Sequence, residues 1–333
     1  MRYDLLERIG RGPILCDGAM KTQLVERAFH RGLIPEREVS FSTGFWNMEH
    51  PDVVEAVHRA YLEAGSELIL TNTFKASSFH VLKLGFANTL EDAARESIRW
   101  VESATQVARK ACGDRAWVLG DIGHIVTHMP ADLRGDERAL REECVRQARS
   151  MYGAGADAII VEYMADPREL AVAVEAAKEV ADKPVIATAV FAGHGSGADR
   201  TYRTHRADQT IEVSGASIDE IVKAAVDAGA DVVGAHCGVL LDMEDYLAIA
   251  KQILTSPHRP AHTPVIVQPN GSEKNKALGG DTGKARPQAL AESVTRFLDL
   301  GVRILGGCCG TTPTDVRAMS EEMRRHCQSR NVP

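Results

Sequence analysis

Eight short apolar runs recur along the chain, and a longer stretch with helical spacing separates each from the next. They fall at 13–16, 67–70, 116–119, 158–161, 184–187, 231–234, 264–267 and 302–305. None alternates polar with apolar residues, as a strand wet on one face would. Continuous apolar runs suit parallel strands buried on both faces. The intervening helices are legible too. His50-Pro51-Asp52 opens one whose apolar positions Val53, Val54, Val57, Ala60 and Tyr61 share a face. Eight strand–helix alternations predict an α/β protein folded as a (β/α)8 TIM barrel. A doubly wound open sheet is the competing architecture, but no glycine-rich phosphate loop follows the first run. The 333 residues are long for one core unless that core is a barrel, which typically takes roughly 250 residues or more. No linker rich in Pro, Ser or Gly divides them, so residues 1–333 are read as a single domain.

A weak internal repeat supports the barrel. Ala64-Gly65-Ser66-Glu67, Ala154-Gly155-Ala156-Asp157, Ala228-Gly229-Ala230-Asp231 and Leu300-Gly301-Val302-Arg303 each close a helix with glycine and launch a strand. Seven residues beyond those glycines stand Asn72, Glu162, His236 and Cys308. Polar and thiol side chains therefore mark the carboxyl ends of four strands, the face where barrel enzymes keep their chemistry.

Composition narrows the function classes. A net charge of −7 leaves no basic footprint for nucleic acid or an anionic membrane. No signal-peptide pattern and no membrane-length apolar stretch are visible, so a cytoplasmic location is expected. The seven cysteines are odd in number and scattered, unlike the framework of a small secreted domain. Cys112, Cys144 and Cys327 fall in helical contexts and Cys16 in the first apolar run, where a buried thiol acts as a small hydrophobe.

Cys237, Cys308 and Cys309 differ. Cys308 and Cys309 are adjacent, end the eighth run and have glycine on both sides, in Gly306-Gly307-Cys308-Cys309-Gly310; Cys237 ends the sixth run in Ala235-His236-Cys237-Gly238. Neighbouring side chains on a strand point opposite ways, and glycines before and after the pair permit the sharp backbone that would swing both sulfurs to one point. Three thiols at the barrel mouth suit Zn2+, with an open fourth position. A vicinal disulfide and three separately buried thiols are the alternatives. Hydrolytic zinc sites use histidine and carboxylate ligands. Three thiolates make the metal a poor activator of water, but it can still favour a thiolate as fourth ligand, so thiol alkylation fits better than hydrolysis.

These residues resemble the homocysteine S-methyltransferase family, zinc enzymes on a (β/α)8 barrel that methylate homocysteine to methionine. The resemblance extends over residues 10–325 and rests on Asp17-Gly18-Ala19-Met20, Thr71-Asn72-Thr73-Phe74, Gly120-Asp121-Ile122-Gly123, Val161-Glu162, Gly234 to Gly238 and the cysteine doublet. It implies zinc on Cys237, Cys308 and Cys309. It also implies contacts from Asp17 and Glu162 to the homocysteine ammonium, and from backbone near Gly18 and Ala19 to its carboxylate. Alternatively Asp17 caps the next helix, Glu162 forms an ion pair, and Asn72, counted with the substrate-binding residues, serves its own loop.

The family divides by methyl donor. Tyr163 directly follows Glu162, as in the betaine-using members, and aromatic faces suit a quaternary ammonium. Phe45, Trp46, Phe74 and Phe79 are further candidates for such a cage, with packing beneath a loop as the other reading of Phe45 and Trp46. Lys75 departs from the betaine pattern, which has tyrosine there. Glycine betaine is thus the expected donor. S-methylmethionine and a methyl-corrinoid or methylfolate system are the alternatives, the last requiring a corrinoid protein as partner. A non-catalytic thiol–zinc sensor is the alternative from another class, and the acidic charge is compatible with a homo-oligomer. Polar loops at 192–210 and 270–287 are expected over the same barrel face.

Overall fold

The computed structural model describes residues 4–34, 43–208, 211–239, 241–271 and 287–330. The strands in chain order are β1 (Ile14–Leu15), β2 (Leu68–Leu70), β3 (Trp117–Ile122), β4 (Ala158–Met164), β5 (Val185–Ala189), β6 (Phe191–His194), β7 (Thr201–Asp208), β8 (Ile211–Ser217), β9 (Val232–His236), β10 (Val265–Gln268) and β11 (Ile304–Leu305). Eight of them form one parallel sheet in the order β1-β11-β10-β9-β5-β4-β3-β2. A parallel bridge between Cys16 and Leu68, and the Glu67 N–H donating to Leu15 O at 2.8 Å, bring the two edges together. The chain is a (β/α)8 barrel, as the alternation of runs predicts.

Each run is apolar throughout because both of its faces are covered. Ile14, Leu68, Leu70, Leu119, Ile160, Ile186, Val232, Ile266 and Ile304 fill the barrel interior, joined by Leu5 and Ile9 of the first helix, Leu5–Arg11. The alternate residues pack outward against the helices, Val118 in one cluster and Ile159, Val185, Val233 and Val265 in another. The helix Pro51–Ala64 buries Val53, Val54, Val57 and Tyr61, while Ala60 is half-buried at the edge of the same face. Gly65, Gly155, Gly229 and Gly301 have φ of 111°, 106°, 93° and 108°. That left-handed conformation turns the chain from helix back into strand, and an L side chain there would be strained. The repeat in the sequence is thus the repeated helix end.

The loop at 192–210 departs from expectation. β6, β7 and β8 form a three-stranded antiparallel sheet inserted between β5 and the helix Ile218–Asp227. The period-two signal is present, with Tyr202 and Thr204 buried and Thr201 and Arg203 exposed, but the inward residues are not aliphatic. Arg200 Nε and Nη2 donate to the Asp245 carboxylate at 2.5 and 2.6 Å, and Tyr202 Oη donates to the same group at 2.9 Å. These bonds pin the insertion to the helix Met243–Thr255. Most of the second loop, 272–286, lies outside the described residues. Among the described residues, no helix is long and apolar enough to cross a membrane.

Candidate metal and substrate site at the barrel mouth

Strand alternation builds the site. Leu119, Ile160 and Ile266 face the interior, so the residues two further along each strand, Asp121, Glu162 and Gln268, face it one layer nearer the carboxyl-terminal mouth. Four residues beyond Val232 and Ile304 stand His236 and Cys308. A polar layer thus lies directly on an aliphatic one, and all five side chains are buried.

The sulfur atoms of Cys237, Cys308 and Cys309 lie within 4.8 Å of one another, the only such group of potential metal ligands among the described residues. Cys308 and Cys309 sulfurs are 3.8 Å apart, matching the edge of about 3.8 Å that tetrahedral geometry gives for zinc–sulfur bonds of about 2.3 Å. Two backbone conformations set this up. Cys237 takes φ 60°, which is rare outside glycine and turns its side chain out of the β9 alternation. Gly310 takes φ 83°, reversing the chain after the doublet. Gly306 and Gly307 serve another purpose: a Cβ at Gly306 would lie 2.8 Å from Cys16 Cβ, and one at Gly307 2.5 Å from Thr311 Oγ1. The segment Gln268-Pro269-Asn270-Gly271 ties both thiol arms together. Cys237 N–H donates to Gln268 O (3.0 Å), Cys308 N–H to Pro269 O (2.8 Å), and Gly271 N–H to Cys309 O (2.9 Å). Cys237 Sγ donates to Asn270 Oδ1 at 3.0 Å. Burial pushes the Cys308 thiol well up, and the sulfurs of Cys237 and Cys309 push it further. Three thiolates cannot form together there without a cation, so the set fits a divalent ion.

His236 joins the thiols to an acidic group. Its Nε2 lies 3.0 Å from Cys308 Sγ and 3.1 Å from Glu162 Oε1, while Nδ1 lies 3.0 Å from Gln268 Oε1. Burial raises the Glu162 carboxyl well above its usual range, as do the charges of Asp121, Asp17 and Cys309. Asp17 is pushed up to about 7 by burial, against the pull of the Leu70 N–H that donates to its Oδ2 at 3.0 Å. It does not cap the helix Met20–His30, whose N-cap is Ala19 without a side-chain bond.

Rings line the mouth on the β2–β4 side. Phe74 lies 5.3 Å from His124 and 5.8 Å from Tyr163, centroid to centroid, and His124 lies 5.8 Å from Tyr163. Tyr163 is the extra residue of a bulge: Val161 pairs with Ala187 and Met164 with Ala189, three steps on β4 against two on β5. Its φ of 64° belongs to that bulge, a device that re-aims a side chain at sites of function. The segment carrying His124 is fixed from below by Glu169, whose Oε1 accepts from the Ile125 and Val126 N–H groups at 2.6 and 2.9 Å.

The family model described as homocysteine S-methyltransferase matches residues 14–323. The chain belongs to that family. It is similar to a methionine synthase from Mycobacterium leprae, 28% identical over 342 residues, covering 99% of this chain and 26% of that protein. It is also similar to betaine–homocysteine S-methyltransferase 1 of Rattus norvegicus, 27% identical over 343 residues, covering 96% of this chain and 74% of the relative. The chain thus spans about a quarter of the length of the methionine synthase it matches. Among solved structures, the metallated form of the homocysteine methyltransferase MmuM from Escherichia coli shares its fold, with a TM-score of 0.70, 19% identity and coverage of 96% of this chain and 99% of that one.

As a member of this family, the chain brings Asp17, Glu162, Cys237, Cys308 and Cys309 to one end of the barrel, and the structure separates some of the other residues singled out in the sequence. Asn72 Nδ2 donates to Thr43 O (2.9 Å) and Asn47 Oδ1 (3.2 Å), and its Oδ1 accepts from Thr43 Oγ1 (2.9 Å), so it ties the 43–47 segment to β2. The Ala19 N–H donates to Thr311 Oγ1 at 3.0 Å. A Cβ at Gly18 would lie 2.6 Å from that same Oγ1, so only glycine fits there. Trp46 and Phe45 belong to a second ring group with Phe86, Trp100 and His50, and Trp46 is buried against Leu24, Val53 and Val57. Phe79 is buried in the main core. Cys16, Cys112 and Cys144 are buried hydrophobes in the interior and outer clusters, while Cys327 is half-buried beside the main core. Asp121 lies in the Gly120-Asp121-Ile122-Gly123 motif and His236 at a marked strand end, but neither is singled out in the sequence as a site residue, and His124 is not signalled at all.

Proposed function

We propose that the protein transfers a methyl group to the thiol of homocysteine, giving methionine, with zinc held by Cys237, Cys308 and Cys309 and glycine betaine as donor. The carrying observation is the convergence of three sulfurs within 4.8 Å beside the buried carboxyls of Asp17 and Glu162. A thiol-rich cation site next to a pocket for an ammonium is what a thiol amino acid needs, whereas metal storage would need no acidic neighbours. When bound, zinc would supply positive charge that favours the thiolate form of a thiol near neutral pH.

This chain's residues do the rest. Asp17 and Glu162 accept hydrogen bonds from the homocysteine ammonium, and His236 keeps Glu162 turned toward the thiols. Phe74, His124 and Tyr163 face the donor, whose methylated nitrogen offers no N–H and is held by ring faces. The homocysteine sulfur attacks the methyl carbon in line; the C–S bond forms, the C–N bond breaks, and its electron pair stays on the nitrogen of dimethylglycine. Alignment of the two substrates supplies much of the rate. A methyl-corrinoid or methylfolate donor delivered by a partner is the second reading, favoured by the similarity to a methionine synthase.

The test is a donor panel with zinc-loaded protein and homocysteine: betaine, dimethylsulfonium compounds, S-methylmethionine and methylcobalamin. Methionine and dimethylglycine in equal amounts from betaine are expected. Turnover with S-methylmethionine or methylcobalamin but none with betaine would replace the donor, and turnover with none would remove the catalytic reading.

A further inference from the structure

We propose that Asp121 is a third anchor for the ammonium group of homocysteine, beside Asp17 and Glu162. The assignment rests on the function proposed above and goes further, because it adds a third carboxyl to the acceptor site. Asp121 is 3% exposed, and its Oδ1 has no hydrogen-bond partner among the described residues. Its backbone, by contrast, is fully used. The Asp121 N–H donates to Thr71 Oγ1 at 2.9 Å, and its carbonyl accepts from Thr73 Oγ1 at 2.6 Å. The strand is thereby fixed while the carboxyl is left to face the polar layer. In the ladder Asp121 pairs with Ile160, so Glu162 stands one step farther along the neighbouring strand on the same face.

A buried carboxyl without a partner is costly, and a small neutral residue would fold the barrel more stably. A cationic ligand removes that cost. An ammonium presents three N–H donors. Asp17 Oδ2 already accepts from the Leu70 N–H, and Glu162 Oε1 lies against His236. Two carboxyls that are each partly engaged serve two of the three donors well; Asp121 Oδ1 serves the third. Burial and the charge of Asp17 also raise the Asp121 carboxyl, so a cation placed beside it is favoured. The methylated nitrogen of the donor has no N–H to give, which is why the group that accepts hydrogen bonds belongs to homocysteine and the rings to the donor.

The test compares binding of homocysteine with that of its des-amino analogue, 4-mercaptobutyrate, by calorimetry on zinc-loaded protein. The wild type is expected to prefer homocysteine. Asp121→Asn and Asp121→Ser should each shrink that preference about tenfold or more, with zinc content and the KM for the methyl donor unchanged and the melting temperature raised. The rise in melting temperature separates loss of a ligand contact from failure to fold. A wild type that strongly prefers homocysteine, with variants that prefer it equally, overturns the role of Asp121 alone. A variant whose donor KM moves while the preference does not would assign Asp121 to the donor and also overturn it. If the wild type binds neither thiol, the proposed function falls and this assignment falls with it.

Discussion

On the β9–β11 side of the mouth, three thiols are held by the main chain: bonds from Cys237, Cys308 and Gly271 run to or from the ends of neighbouring strands, and glycines allow close approach where any Cβ would collide. On the β2–β4 side, Phe74, His124 and Tyr163 meet through ring contacts around one bulged residue. Backbone bonds fix position whatever the side chain, while ring contacts depend on each side chain present. The first side is therefore built to a single geometry, as an ion demands. The second can change its lining without disturbing the barrel.

The sharpest way to break this contrast is to remove a thiol. Cys308→Ala should lower bound zinc, measured by metal analysis, from one ion per chain toward none. Methionine formation should fall by about three orders of magnitude, since metal stabilisation is worth several kcal/mol. The melting temperature of the metal-free protein should scarcely move, because the backbone bonds remain. A variant that keeps its zinc would show that the three sulfurs do not act as one site.

Between the two sides lies the acidic group, and Glu162→Gln tests it. The amide keeps the shape but loses the charge, so kcat/KM for homocysteine should fall about ten- to a hundredfold, with donor KM little changed. A linked effect concerns pH. Asp17 is raised to about 7 in the folded chain, and Glu162 and Asp121 are raised as well. Groups whose folded pKa lies above the unfolded one contribute stability that is complete below the unfolded value and is lost as pH rises through the folded value. Thermal melts of the ligand-free protein should therefore show this contribution falling from pH 4 to pH 8, with a shallower fall in Asp17→Asn. An identical profile in that variant would refute the assignment to Asp17.

Legibility in the sequence follows the same divide. The barrel could be read because buried parallel strands must be apolar throughout and because Gly65, Gly155, Gly229 and Gly301 mark four helix ends. The thiol side could be read because adjacent cysteines between glycines have few other uses. Glu162 and Cys308 lie at a constant distance from those glycines. The β2–β4 side was less open. A bulge is a matter of register, and nothing in Val161-Glu162-Tyr163-Met164 announces that the third residue takes φ 64°. Trp46 and Phe45 look like cage residues by type, yet they sit with Phe86 and Trp100 because the 43–47 segment folds back on β2 through Asn72. β7 carries no aliphatic signal where its burial is described: the inward residues there are Tyr202 and Thr204.

Two aromatic substitutions sharpen the comparison further. Tyr163→Ala should raise the donor KM about tenfold, since a desolvated cation–π contact is worth about 2 kcal/mol, and leave homocysteine binding unchanged. It should not destabilise the barrel much, because the tyrosine is half-buried in a conformation unfavourable to it. A rise in homocysteine Kd instead would place this ring on the acceptor side.

Trp46→Phe is expected to have the smallest effect on catalysis, and for that reason it measures how far the proposed donor side extends. Trp46 is 2% exposed and packs on Leu24, Val53 and Val57, with His50 against its ring at 4.9 Å. Shortening it to Phe leaves a cavity in that cluster and should cost about 1–3 kcal/mol, read as a lower midpoint in urea. The donor KM should stay within about twofold, because Tyr163 stands on β4 and His124 beside the Glu169-fixed segment, neither held by residues 43–47. A donor KM that rises as far as in Tyr163→Ala would join the two ring groups into one lining. The β2–β4 side would then owe its shape to the core beneath it, and the contrast with the thiol side would narrow.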